Sequence, residues 1–140
     1  MLYNSMMEAL LRSPLHGVIS KNFMVISYTG RKSGKAYSTP VNYVQEDGLV
    51  LVTSFRNRIW WRNLLGGAPV SLLVKGKTLE GVGEAIVDEA EVARYMDIYL
   101  SKVPQMAKYF HVAVGEDGKL SQEDLAEAAK TQLMICIRLK

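Results

Sequence analysis

The chain has 140 residues, of which 49% are hydrophobic and 22% charged, a composition that fits one globular domain and argues against intrinsic disorder. Its formal net charge of +3 permits an anionic ligand without separating nucleic acid from nucleotide or phosphate. No apolar run approaches the roughly 18 residues that a transmembrane helix needs, and no secretory leader is recognisable. Cys136 is the one cysteine, which excludes an internal disulfide and predicts a cytoplasmic location.

The first part of the chain predicts one short helix and then a run of strands. Residues 2–12 have the apolar spacing of an amphipathic helix, and Pro14 and Gly17 end it. Pro40 indicates either a sheet-edge position or a bulge for the second strand, because proline cannot donate a ladder hydrogen bond. Strands are predicted over residues 23–29, 36–44, 49–55, 70–75 and 78–87.

The remaining residues predict a helical excursion over about 88–132 and a closing strand over 133–139. Asp88 and Glu91 have the spacing of a helix-capping box, and apolar residues then recur with helical periodicity to about residue 101. Most strands are joined by short turns rather than helical crossovers. We therefore expect a mainly β (α+β) fold, an antiparallel six-stranded sheet or small barrel with peripheral helices, in a single domain over residues 1–140.

A basic loop joins the first two predicted strands. Its glycines allow a tight turn, its cations and hydroxyl suit a phosphate, and its spacing is not that of a Walker A loop. A solvated basic turn is the alternative. The predicted cofactor-binding residues in this loop are Arg31, Lys32, Ser33, Gly34 and Lys35, with Gly30 preceding them.

A second candidate segment follows the strand that ends near residue 55. A tryptophan can stack on a flat ring, and neighbouring arginines can neutralise an acidic tail. Adjacent helical residues point about 100° apart, so one tryptophan is expected at the site and the other in the core. The predicted cofactor-binding residues here are Ser54, Arg56, Arg58, Trp60 and Trp61.

Other reactive side chains form no recognisable site. His16, His111 and Cys136 lack metal-ligand spacing, so no metal is expected. The excursion carries Tyr95, Tyr99 and Tyr109, whose spacing is mostly that of core residues, although a tyrosine hydroxyl at a cavity rim could hydrogen-bond a substrate. Nucleic acid is not expected, because aromatic residues are only 9% of the chain and the tryptophans are clustered.

The two candidate segments together resemble the deazaflavin-dependent nitroreductase family, whose members are split β-barrels related to the FMN-binding split barrels. The resemblance lies in Thr29-Gly30-Arg31-Lys32-Ser33-Gly34, Thr39-Pro40-Val41, Trp60-Trp61-Arg62-Asn63-Leu64 and Ala68-Pro69-Val70. It covers roughly residues 20–87, and the closing strand also fits. The excursion shows no motif of the family.

The resemblance implies bound coenzyme F-420, whose tail carries a phosphodiester and glutamates. It implies that Arg31, Lys32 and Ser33 hold the phosphate and that the segment around Trp60 lies beside the deazaflavin ring. It further implies hydride transfer to an electron-poor small molecule such as a quinone or nitroaromatic, and a homodimer is one expectation. Family members often have arginine near Tyr37, so FMN as the cofactor and a non-catalytic flavin- or ligand-binding protein remain alternatives.

Overall fold

The computed structural model describes residues 23–140 and consists of one antiparallel sheet with helices against it. The seven strands are β1 (Phe23–Thr29), β2 (Ala36–Asn42), β3 (Val44–Glu46), β4 (Leu49–Phe55), β5 (Ala68–Val74), β6 (Lys77–Ile86) and β7 (Gln132–Leu139). The predicted helix over residues 2–12 lies outside the described residues.

Short turns set the register of the sheet. The β1–β2 pair is closed by the basic loop, and the β5–β6 pair by a turn at Lys75 and Gly76, both with positive φ. The strand order is β2-β1-β5-β6-β7-β4-β3, with every pair antiparallel, so the closing strand β7 lies between β6 and β4, and β2 is an edge strand, one of the two arrangements that Pro40 predicts. The predicted antiparallel split-barrel class is therefore confirmed.

The predicted count of six strands is too low by one. Residues 36–44 were expected as one strand, but the chain leaves β2 after Asn42 and pairs Val44 with Leu51 at the other end of the strand order. Buried Tyr43 lies at this crossover. Alternation of side chains continues through such a passage, so the pattern alone does not reveal the break.

The excursion carries two α-helices, of which the first packs against the sheet and the second packs against the first. Helix α1 (Glu89–Lys102) begins at Asp88, whose carboxylate accepts the Glu91 N–H at 3.1 Å as the capping box predicts. A 3-10 helix (Pro104–Phe110) follows, and α2 (Gln122–Ala128) is capped by Ser121. None of the helices in residues 23–140 is long and apolar enough to cross a membrane.

Candidate functional site

The basic loop is a tight turn with its own hydrogen bonds. The Gly30 N–H donates to the Lys35 carbonyl at 2.8 Å, and the Gly34 N–H donates to the Gly30 carbonyl at 2.8 Å. Gly34 has φ +71°, which glycine adopts without steric cost. The Lys35 N–H donates to Ser33 Oγ at 3.2 Å. The loop is thus shaped before any ligand arrives, with its cationic side chains exposed.

The loop is tied to the segment that carries the tryptophans, a 3-10 helix over Trp60–Leu64. The Arg31 N–H donates to Asn63 Oδ1 at 3.0 Å, and the Arg31 guanidinium donates to the Leu65 carbonyl. Asn63 Nδ2 in turn donates to the Trp60 carbonyl at 2.9 Å. The two segments singled out from the sequence therefore meet, and part of the hydrogen-bonding capacity of Arg31 serves this junction.

A cavity of about 540 Å³ lies between these two segments. One wall is aromatic, because the Tyr28 ring lies 5.9 Å from that of Tyr37 and 5.8 Å from that of Trp60, centroid to centroid. The other wall is the loop. Ten residues line the cavity: Tyr28, Gly30, Arg31, Lys32, Ser33, Tyr37, Ile59, Trp60, Arg62 and Asn63. The result is a mainly apolar slot with cations along one side.

The two tryptophans have different surroundings. Trp60 lines the cavity, and its indole N–H donates to Ser54 Oγ at 3.1 Å, which fixes the ring plane. Trp61 is 9% exposed and belongs to the core, and its indole N–H has no partner among the described residues. Of the two, Trp60 is therefore the one able to stack on a ligand.

A second cavity, of about 350 Å³, shares Trp60 with the first. Ser54 and Arg58 line it on the sheet side, and Tyr109 and Phe110 line it from the 3-10 helix of the excursion. Tyr109 is 66% exposed, so its hydroxyl is available to a bound molecule. The excursion thus contributes to the candidate site although it carries no recognisable motif.

Four of the predicted site residues lie outside the linings of both cavities: Gly34, Lys35, Arg56 and the core residue Trp61. Arg56 donates to the carbonyls of Ala129 at 3.0 Å and Val87 at 2.7 Å, which ties β4 to the segments flanking α1 and β7. Lys35 is exposed on the loop but does not line the slot. The structure brings Arg31, Lys32, Ser33 and Trp60 together at the slot, whereas the guanidinium of Arg56 donates to carbonyls within the protein.

The tyrosines of the aromatic wall were not among the predicted site residues. Tyr28 and Tyr37 face each other across the β1–β2 hairpin in register, so paired aromatics flanking a basic turn are the signal that could have revealed them. Burial, and after it the neighbouring Tyr37, raises the pKa of the Tyr28 hydroxyl above its ordinary value.

Within residues 23–140, no group of three or more His, Cys, Asp or Glu side chains could hold a metal ion. The basic loop and the aromatic wall line the described slot. Together they suit a ligand that combines an anionic group with a flat ring.

Similarity to known proteins points in the same direction. A family model described as F420H(2)-dependent quinone reductase matches residues 11–116, well over half of the chain. Among curated proteins, none matches the chain significantly.

Several solved structures have a similar fold. A putative pyridoxamine 5'-phosphate oxidase from Listeria innocua is 12% identical with a TM-score of 0.57, covering 99% of this chain and 94% of that one. A structure described as a domain-swapped dimer is 16% identical with a TM-score of 0.57, covering 98% and 94%. An F420-H2 dependent reductase is 16% identical with a TM-score of 0.54, covering 84% and 95%. At identities this low the likeness shows the fold alone.

Proposed function

The chain belongs to the F420H(2)-dependent quinone reductase family, and we propose that it transfers a hydride from reduced coenzyme F-420 to an electron-poor small molecule such as a quinone or nitroaromatic. Membership confirms the kinship with F-420-dependent split-barrel reductases that the motifs predict. It also supports coenzyme F-420 over FMN as the cofactor. The acceptor class and the hydride-transfer step are the parts that need an experiment.

The observation that carries the proposal is the slot that joins the basic loop to Trp60. Coenzyme F-420 has a flat ring system at one end and an acidic tail with a phosphodiester at the other. The slot has an aromatic wall and a cationic side in the same space of about 540 Å³. The residues present therefore fit the cofactor, because each chemical part of it meets a matching part of the chain.

The loop would hold the phosphate mainly through side chains. Its backbone N–H groups at Gly30, Arg31, Gly34 and Lys35 already have partners within the protein. Lys32 and the Ser33 hydroxyl line the slot, and a guanidinium has further N–H groups beyond the one that Leu65 accepts. Charge-assisted contacts from these groups would give the tail its affinity.

When bound, the reduced cofactor supplies the hydride. The chain's task is to position the ring and the acceptor and to keep water out. Trp60, held by Ser54, would orient the ring at the boundary of the two cavities. The second cavity would take the acceptor, and the exposed Tyr109 hydroxyl would donate to an acceptor oxygen as negative charge develops there.

The proposal also covers the number of domains, the cellular location and the oligomeric state. We infer that residues 1–140 form one domain, that the protein works in the cytoplasm, and that two copies form a homodimer. The single cysteine supports the compartment, because it allows no internal disulfide. The sheet ends in the edge strands β2 and β3, and an open edge favours pairing.

The proposed activity is tested by mixing the purified protein with reduced coenzyme F-420 and either a naphthoquinone or a nitroaromatic. We expect the cofactor to be oxidised only when protein and acceptor are both present. The oxidation is measured as the return of the cofactor's visible absorbance. The same acceptors with reduced FMN form the control. Turnover with reduced FMN but not with reduced F-420 would contradict the assignment of the deazaflavin as the cofactor. The absence of turnover with both cofactors would contradict the proposal that the protein is an oxidoreductase.

A further inference from the structure

Tyr37 contacts the basic loop in two ways that do not depend on any ligand. Its hydroxyl lies 3.1 Å from Ser33 Oγ, within hydrogen-bond distance. Its ring covers Gly30 so closely that a Cβ at Gly30 would lie 2.7 Å from Tyr37 Cε2. The ring therefore packs on Gly30, the first residue of the loop, while the hydroxyl contacts Ser33, three residues further along the turn.

The same side chain connects the loop to the ring end of the slot. Tyr37 stacks on Tyr28 with an interplanar angle of 24°, and Tyr28 reaches Trp60. Tyr28 and Tyr37 are register partners across the hairpin, so β-sheet hydrogen bonding fixes their relative position. The loop is thus braced against a rigid part of the sheet through one aromatic side chain.

We propose that Tyr37 is a positioning residue of the cofactor site, which acts through Ser33 and Gly30 to hold the basic loop in the shape that receives the phosphate. This inference rests on the proposed function, since it concerns the tail of the same cofactor. A loop already held in its binding shape loses less conformational freedom when the ligand arrives, which raises affinity in addition to any contact that the Tyr37 ring makes as part of the slot wall. Its effect differs from that of Lys32, which brings a positive charge to the slot.

The proposal is tested with Tyr37→Phe, which keeps the stacking ring and removes the hydroxyl. The matched control is Ser38→Ala, which breaks the 2.9 Å hydroxyl contact between Ser27 and Ser38 one register position away, on the opposite face of the same strands. We expect Tyr37→Phe to bind F-420 about two- to tenfold more weakly. Affinity for the deazaflavin that carries only its ribityl chain, without the phosphate and glutamates, should not change.

A double-mutant cycle shows whether Tyr37 acts through Ser33. In a Ser33→Ala background the hydroxyl of Tyr37 has lost its partner, so adding Tyr37→Phe should change F-420 affinity no further. Additive losses from the two changes would overturn the proposal, because they would mean that Tyr37 meets the cofactor independently.

Trypsin cleavage of the ligand-free protein gives a readout that does not depend on the cofactor. Arg31, Lys32 and Lys35 are trypsin sites within the loop, and Tyr37→Phe should speed their cleavage while Ser38→Ala should not. If the wild-type protein binds no F-420, the proposed function fails and the cleavage rates alone decide about Tyr37. In that case, equal cleavage rates for Tyr37→Phe and wild type would overturn the proposal. If the wild-type protein does bind F-420, equal F-420 affinity for Tyr37→Phe and wild type would overturn it.

Discussion

Arg31 and Lys32 are neighbours in the basic loop but differ in what they contact. The Arg31 guanidinium donates to the Leu65 carbonyl, and the Arg31 backbone N–H donates to Asn63. Lys32 lines the slot and has no hydrogen bond or ion pair to another residue within 23–140. Substitution of Arg31 therefore disturbs the loop's attachment as well as its charge. Lys32 is the cleaner probe of the charge alone.

Lys32→Ala should lower the affinity for coenzyme F-420 by about 1.5–3 kcal/mol, because one charge-assisted contact with the phosphate is lost. The free energy of unfolding should not change. The measurement is a fluorescence titration at two salt concentrations. Lys77→Ala, at the opposite end of the sheet in the β5–β6 pair, is the matched control. Equal affinity for the Lys32 variant and wild type would reduce the loop to a solvated turn.

The two tryptophans should separate binding from stability. Trp60→Ala removes one ring of the slot's aromatic wall and should strongly weaken cofactor binding. Its free energy of unfolding should fall less than that of Trp61→Ala. Trp61→Ala empties a core position and should cost about 3–5 kcal/mol of unfolding free energy. Urea unfolding and cofactor titration of both variants check this. A stable Trp61→Ala variant with impaired binding would show that the assignment of the two rings is reversed.

At the level of elements, Arg56 links β4 to the segments on either side of the excursion. Its guanidinium donates to carbonyls next to α1 and next to β7, so it holds the ends of the excursion to the sheet. Nothing in the sequence around Arg56 distinguishes it from Arg58. The partners of Arg56 are 31 and 73 residues away along the chain, a separation that spacing cannot reveal.

Arg56→Ala should therefore lower the unfolding free energy by about 1–3 kcal/mol, since two carbonyls lose their donor, and should leave F-420 affinity unchanged. Arg138→Ala removes an exposed arginine from β7 and serves as the control for loss of charge. Chemical unfolding and the cofactor titration are the two measurements. Weakened F-420 binding by Arg56→Ala at full stability would instead support the sequence-based assignment of Arg56 to the cofactor site.

The elements themselves were predictable where local signals are strong. β1, β4, β7 and α1 follow from apolar runs, turn residues and the Asp88 cap, and agree with the structure to within about one residue. The junction at Asn63 and the wall of Tyr28 and Tyr37 were not predicted as site features, because they arise from contacts between strands and a distant helix. Sequence periodicity describes one element at a time, whereas a site is built where elements meet.

Across the whole molecule, burial of titratable groups sets an alkaline limit on stability. Burial raises the pKa of Cys136 from 9.0 to about 11 and that of Tyr99 from 10.0 to about 12. Both groups then keep their protons in the folded state at a pH where the unfolded chain releases them. The contribution of these two groups to the free energy of unfolding is therefore fully present below about pH 9, and it is lost as the pH rises towards 11 and 12.

Urea unfolding between pH 7 and pH 11 should show a single transition whose free energy declines above about pH 9. The single transition is expected if residues 1–140 form one domain. Cys136→Ala should flatten the decline between pH 9 and pH 11 because one of the responsible protons is gone. Constant stability up to pH 11 would contradict the burial of these groups, and two separate transitions would contradict the single domain.

The most direct test of the account is a titration of the purified protein with coenzyme F-420 and, separately, with FMN, following tryptophan fluorescence. The ring would lie against Trp60 and the tail against the basic loop, so we predict saturable quenching by F-420 at concentrations where FMN has little effect. Quenching by FMN in preference to F-420, or by neither, would contradict the assignment of the slot to the deazaflavin cofactor.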